Sequence, residues 1–210
     1  MIGLPLNRFV TINWEAAGVT DAVRKTGRFL KLARDWLRRR GGGSAHVWVQ
    51  ECGPIVGQHA HILIHVSPDL VSAFSYRQRR WLTACGATFQ LGIIRSRPIG
   101  RSYRHAAVGT QYGETYDSNL SAITQYMLKE TDEETKRRFG LNTTTKGGVV
   151  YGKRIATSQN IGSAAQRQAA AQRAQAQLSR DCSRPLGSDE PAELLEATNP
   201  ISRQEEYIDV

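Results

Sequence analysis

Two apolar, β-rich runs joined by a glycine-proline turn constrain this chain more than any other feature. His46 to Glu51 and His59 to Val66 read as strands, and Gly53, Pro54 and Gly57 between them supply the turn chemistry of a hairpin. The second run, with the residue before it, reads Gln58-His59-Ala60-His61-Ile62-Leu63-Ile64-His65-Val66. Side chains alternate across a strand. Ala60, Ile62, Ile64 and Val66 therefore turn toward a core, and His59 and His61 share the other face. Two imidazoles two residues apart can chelate one cation. The short turn sets Glu51 almost opposite His59, where cross-strand Cβ atoms lie about 5 Å apart. Two histidines and one carboxylate leave coordination positions open for water or a phosphate oxygen. His65 lies on the same face roughly 13 Å beyond His61. It is too far to join the ligand set and is read as a contact for nucleic acid. His46 and His105 have no comparable context.

The surrounding elements place this hairpin in an α+β domain on an antiparallel sheet. Arg8 to Trp14 reads as a strand. Thr20 to Arg40 reads as a helix, with Leu30, Ala33 and Leu37 at helical spacing, Thr20 as N-cap and Gly41-Gly42-Gly43 as its stop. Its final arginines, Arg38 to Arg40, fit a solvated face or a phosphate contact. A second helix runs from Pro68-Asp69 to about Ala84, and Phe89 to Arg95 reads as a further strand. Arg97 to Asp117 is polar and reads as a loop. Asn119 to about Phe139 is helical, in one or two pieces. Gly147 to Ile161 is a basic, glycine-rich run that closes the domain. The expected division is a folded body over 1–162 and a tail over 163–210, in which Ser163 to Leu178 is helical and residues 181–210 are acidic and disordered.

A second constellation lies on the late helix. Leu120, Ile123 and Met127 form its buried stripe, and Tyr126 and Lys129, three apart, both project from its flank. A free phenol, with a pKa near 10, is a weak nucleophile at neutral pH, and a neighbouring ammonium favours its phenolate. Charge is consistent with a polyanionic partner. The chain of 210 residues carries 28 basic and 19 acidic side chains, a net +9. The tail has five of the basic and eight of the acidic residues, so the body is left at +12. Three cysteines without metal-type spacing fit a reducing cytoplasm. No run approaches the roughly 20 apolar residues of a membrane helix, and the first nine residues do not resemble a signal peptide.

With these residues in hand, the chain resembles the HUH endonuclease superfamily, specifically its single-tyrosine rolling-circle replication initiators. Phe9-Val10-Thr11-Ile12-Asn13 is similar to the first motif. His59-Ala60-His61 matches the histidine-hydrophobe-histidine motif, with Glu51 at the spacing of geminiviral and circoviral initiators. Tyr126-Met127-Leu128-Lys129 matches the nucleophile motif. The resemblance covers roughly residues 8–130. It implies a five-stranded antiparallel sheet flanked by helices, with the RNA-recognition-like, ferredoxin-like topology. It also implies Mg²⁺ or Mn²⁺ on Glu51, His59 and His61, and a 5′-phosphotyrosyl intermediate on Tyr126 stabilised by Lys129. The implied partner is single-stranded DNA at a replication origin.

Some features depart from that pattern. No Gly-x-x-x-x-Gly-Lys-Ser/Thr loop is present, so unwinding is expected to need a separate host helicase. A bacterial plasmid or phage, and hence the bacterial cytoplasm, is the expected setting. Tyr112 and Tyr116 fall in the predicted loop, where they contact bases or pack, and no second tyrosine is expected on the Tyr126 helix. Rival readings are a single-tyrosine transposase or a relaxase on the same fold, and a non-catalytic nucleic-acid-binding module. A two-histidine phosphoesterase needs two His-x-Thr/Ser motifs, and His65-Val66-Ser67 alone fits.

Overall fold

The hairpin forms as its alternation requires. In the computed structural model, which describes residues 4–100, 113–141 and 147–182, β2 (His46–Gly53) and β3 (Gly57–Ile64) pair antiparallel from His46↔Ile64 to Gly53↔Gly57. Gly57 closes the turn at φ 68°, a left-handed conformation that glycine adopts without strain. A Cβ there would also collide with the Glu15 side chain.

Three more strands complete the sheet. β1 (Arg8–Asn13) pairs with β3, and β4 (Ile94–Pro98) pairs with the far side of β1. β5 (Ile155–Thr157) pairs with β2, giving the order β4-β1-β3-β2-β5 with every pairing antiparallel. Helices α1 (Ala22–Arg38) and α2 (Val71–Ala84, led by a 3₁₀ turn at Pro68–Leu70) fall between the first four strands. The chain order β1-α1-β2-β3-α2-β4 on that sheet is the ferredoxin-like arrangement. The protein is therefore an α+β fold on a five-stranded antiparallel sheet flanked by helices. Beyond β4 lie α3 (Gly113–Met127), α4 (Glu133–Phe139) and α5 (Ser163–Cys182). The chain divides into units Met1–Gln172 and Arg173–Val210, and the second begins within α5. Among the described residues no helix is long and apolar enough to cross a membrane.

The two sheet faces bury different partners. Val10, Ile12, Trp48, Ala60, Ile62 and Ile64 pack on α1 and α2 through Phe29, Trp36, Phe74 and Trp81, whose rings meet edge to face at 5.2–6.3 Å. On the other face Phe9, Val47, Val49 and Leu63 pack against Leu120, Ile123 and Met127 of α3. A buried polar chain ties α1 to the hairpin. Trp14 Nε1 donates to Thr26 Oγ1 at 2.7 Å, Thr26 Oγ1 donates to Gln50 Oε1 at 3.2 Å, and Gln50 Nε2 donates to the His59 carbonyl at 2.9 Å.

Several boundaries differ from the sequence reading. Asp21, not Thr20, caps α1, its carboxylate accepting from Arg24 N. The strand expected over Phe89 to Arg95 begins only at Ile94. Gly92 takes φ 92° and Ile93 N returns to the Gln90 carbonyl, so the apolar run turns before pairing with β1. The expected loop from Arg97 to Asp117 is β4 at one end and helix from Gly113 at the other. Tyr116 is therefore helical and shares α3 with Tyr126. β5 was hidden inside the glycine-rich closing run. His105, Tyr112 and residues 183–210 of the acidic tail lie outside the described residues.

Thr26→Val keeps the shape of a fully buried side chain and removes its hydroxyl. Trp14 Nε1 and Gln50 Oε1 then lose their partner. Urea unfolding should show a loss of about 1–3 kcal/mol. A loss under about 0.5 kcal/mol would mean the polar chain is not needed to join α1 to the hairpin.

Candidate metal centre and tyrosine cleft

Strand register alone brings the ligand set together. Glu51 and His59 are direct partners across the hairpin, and His61 sits two residues on along the same face. One ligand atom from each lies within 4.8 Å of the others, and all three residues are buried, Glu51 to 1% exposure and His61 to 3%. The outer nitrogen of each imidazole is occupied. His59 Nδ1 donates to the Gly57 carbonyl at 2.9 Å, and His61 Nδ1 shares a hydrogen bond with Thr11 Oγ1 at 3.0 Å. Both Nε2 atoms are thereby aimed at Glu51, at 3.0 Å from His59 and 3.4 Å from His61. Backbone and hydroxyl groups fix metal-binding histidines in this way.

The group fits a cation on its own atoms. Glu51 Oε1 and His61 Nε2 are buried and have no hydrogen-bond partner among the described residues. Unpaired buried polar atoms are costly, and a metal ion would satisfy both. A buried Glu-His-His group that can hold a metal ion is therefore present.

Charges around Glu51 are tightly coupled. Burial would raise its pKa, but hydrogen bonds from His59 and Lys129 with His61 close by outweigh this and hold the carboxyl well below its usual range. Burial also opposes charge on His59, yet the Glu51 carboxylate and Gly57 carbonyl outweigh it and raise its pKa. In His61 burial wins and the pKa falls. Lys129 Nζ donates to Glu51 Oε2 at 2.5 Å and lies 4.0 Å from the Tyr126 ring centroid. The Tyr126 ring stands 5.0 Å from His61 and 46% exposed. All five sequence-derived site residues thus meet in one cleft.

Other residues escaped the sequence reading. Phe9 stacks on His61 at 5.5 Å, and Arg95 and Arg97 of β4 line a cavity of about 500 Å³ with Phe9, Thr11, His61 and Tyr126. Their signal was an Arg-x-Arg pair on a strand, visible only once β4 had its true start. Glu130 is buried beside this cluster, paired with Arg154. Burial and then the Glu51 charge raise its pKa. Two expectations need correction. His65 is not a nucleic-acid contact, because it is buried past the end of β3 with Nδ1 on the Pro5 carbonyl at 2.7 Å. Tyr116 is on the Tyr126 helix, but its hydroxyl donates to the Leu6 carbonyl and its ring packs in the core on that side.

The chain matches no family model, no curated protein and no solved structure.

Lys129 occupies the carboxylate oxygen that a metal ion would share. Lys129→Met should therefore tighten Mn²⁺ binding, by about tenfold in a calorimetric titration. Glu51→Gln should abolish binding. Affinity in the unmodified protein should fall as pH drops through the raised pKa of His59, because a proton then competes for Nε2. Weaker binding in Lys129→Met would show that the lysine supports the ion instead of competing with it.

Proposed function

We propose that this protein cuts and rejoins single-stranded DNA at a replication origin through Tyr126, in the manner of the HUH rolling-circle initiators it resembles. The reading is carried by one observation. Tyr126 is a solvent-open phenol against the rim of the buried Glu51–His59–His61 group, and Lys129 touches both. Motif order, basic body and ferredoxin-like sheet support it further.

In this reading the DNA strand lies over the face that carries Phe9, Arg95 and Arg97, with phosphates on the guanidiniums and a base against Phe9. A divalent ion, Mg²⁺ or Mn²⁺, held by Glu51, His59 and His61 would polarise the scissile phosphate and neutralise charge building on its oxygens. The Tyr126 oxygen attacks phosphorus as its proton passes to solvent. The bond from phosphorus to the 3′ oxygen breaks, and that oxygen takes a proton from solvent, which leaves a free 3′-hydroxyl and a 5′-phosphate ester on Tyr126. The Lys129 ammonium stabilises the phenolate. The ester retains the bond energy, so a 3′-hydroxyl can attack it and reseal the strand. Duplex unwinding falls to a separate helicase in the bacterial host of a plasmid or phage. A non-catalytic nucleic-acid module would use the same face, and the two readings part at the covalent bond.

Incubation with a pool of single-stranded oligonucleotides and Mn²⁺ should give a protein–DNA adduct that survives SDS. Tyr126→Phe should remove the adduct while leaving Mn²⁺ binding and salt-dependent DNA affinity within about twofold. His61→Ala should also remove it, but with metal affinity lost. An adduct persisting in Tyr126→Phe would place the nucleophile elsewhere, and the absence of any adduct across the pool would favour the non-catalytic module.

A further inference from the structure

A second cavity, of about 530 Å³, lies on the opposite face of the sheet from the tyrosine cleft. Its floor is the start of β2. His46 shares a face with Trp48 and Gln50, which pack toward α1, whereas Glu51 faces the other way. Five residues along the strand separate His46 from Glu51, or roughly 17 Å. The walls are Arg34 and Arg38 from the last turns of α1, Ser44 from the loop that follows, and Ser158 and Asn160 beyond β5.

The walls are built and pinned. His46 N donates to Ser158 Oγ at 3.0 Å, Ser158 N donates to the His46 carbonyl at 2.8 Å, and Asn160 Nδ2 donates to the Ser44 carbonyl at 2.8 Å. Of these lining residues, Ser44 Oγ and His46 Nδ1 are buried and have no hydrogen-bond partner among the described residues. No carboxylate lines the cavity. Asp35, next to Arg34 in sequence, pairs with Lys31 at 2.8 Å and with Arg34 at 3.3 Å. Burial first, and then the Arg34 charge, push the His46 pKa down to about 4, so at neutral pH the imidazole adds no charge of its own. Two guanidiniums, a hydroxyl and an imidazole nitrogen thus surround a cavity with no carboxylate in its lining, although Arg34 has Asp35 beside it at 3.3 Å.

We propose that this cavity binds a phosphate ester, gripped by Arg34 and Arg38 and completed by Ser44 and His46. Paired guanidiniums match the fork geometry of a phosphate, and a hydroxyl and a ring nitrogen take its remaining oxygens. The carrier is the backbone of duplex DNA flanking the nicked strand, which rests on the nicking function proposed above. A polymer is favoured because the cationic surface continues past the cavity. Arg38, Arg39 and Arg40 are all exposed at the end of α1, with Arg40 laid over Trp36 at 4.2 Å. Successive phosphates would find successive partners there, whereas a free mononucleotide would use the cavity alone.

The full-length protein tests this by NMR of the His46 ring and by anisotropy with a fluorescent duplex in EDTA. Inorganic phosphate should shift the His46 resonances saturably, and the Arg34→Gln/Arg38→Gln double variant should lose that response. Duplex affinity should fall about tenfold or more in the variant, with the slope of log affinity against log salt reduced by about one to two. Tyr126 adduct formation on a single-stranded oligonucleotide should be unchanged, so failure of this site and failure of the nicking reading are separable. Absence of any His46 response to phosphate, duplex or a deoxynucleotide would overturn the site. A response to phosphate and deoxynucleotide with duplex affinity unchanged in the variant would assign the cavity to a free nucleotide and overturn the DNA role. A thermal-unfolding control on the double variant, expected within about 2 °C because both side chains are exposed, excludes misfolding as the cause of a loss.

Discussion

A carboxylate that is 1% exposed must be answered by positive charge or lose its ionisation, and the tyrosine cleft is organised around that requirement at Glu51. Three cationic or proton-bearing groups surround it: His59 from the partner strand, His61 one step along, and Lys129 from the end of α3. Both imidazoles are held from outside. Thr11 and the Gly57 carbonyl fix the rings, and Gln50, on the back of β2, fixes the His59 backbone through its carbonyl. Rigidity therefore reaches the cleft from the core face. The amide of Gln50 is itself positioned by Thr26 and hence by α1. Loosening α1 would loosen the ligands without touching them.

Much of this was legible in the sequence, because two-residue alternation is a local rule. The hairpin, the shared face of His59 and His61, and the pairing of Glu51 with His59 follow from strand period and turn length alone. The buried stripe Leu120, Ile123 and Met127 follows from helical period in the same way. The elements that escaped are those whose structure is set by their neighbours. β5 has three residues, too few to show a period, and exists because β2 offers it an edge. β4 begins five residues late because Gly92 turns the chain first. His65 shared the parity of His61, yet the strand ended before it and the N-terminal segment claimed its nitrogen. Lys129 was placed on a helix flank, but α3 ends at Met127. The two residues gained in the following turn carry its ammonium to Glu51.

The sheet separates two electrostatic surfaces. On the α3 face an anionic centre is hemmed by cations and opens on a cavity with two arginines. On the α1 face, near the other end of β2, the cavity beside His46 holds two arginines and no acid. The same strand serves both by alternation, His46 and Glu51 differing in parity. A substrate with many phosphates could engage both without competing for the same side chains, whereas a compact ligand could engage only one at a time. The wide spacing of these surfaces is thus a further argument for a polymeric anion.

Lys129 links the Glu51 carboxylate to the Tyr126 ring. Here the ammonium holds Glu51 Oε2 at 2.5 Å with the aromatic face of Tyr126 beneath it. Two unit charges 4 Å apart interact by about 4 kcal/mol at an effective dielectric of 20. A divalent ion on Glu51 would therefore repel the ammonium by more than the 0.5–2 kcal/mol typical of a cation–π contact. Displaced from Glu51, the ammonium would still have the Tyr126 ring at 4.0 Å, with the Glu130 carboxyl also within electrostatic reach. In the nicking reaction proposed above, metal occupancy would free the ammonium for the phenol, which would gain its stabilising cation once the carboxylate had gained a better one.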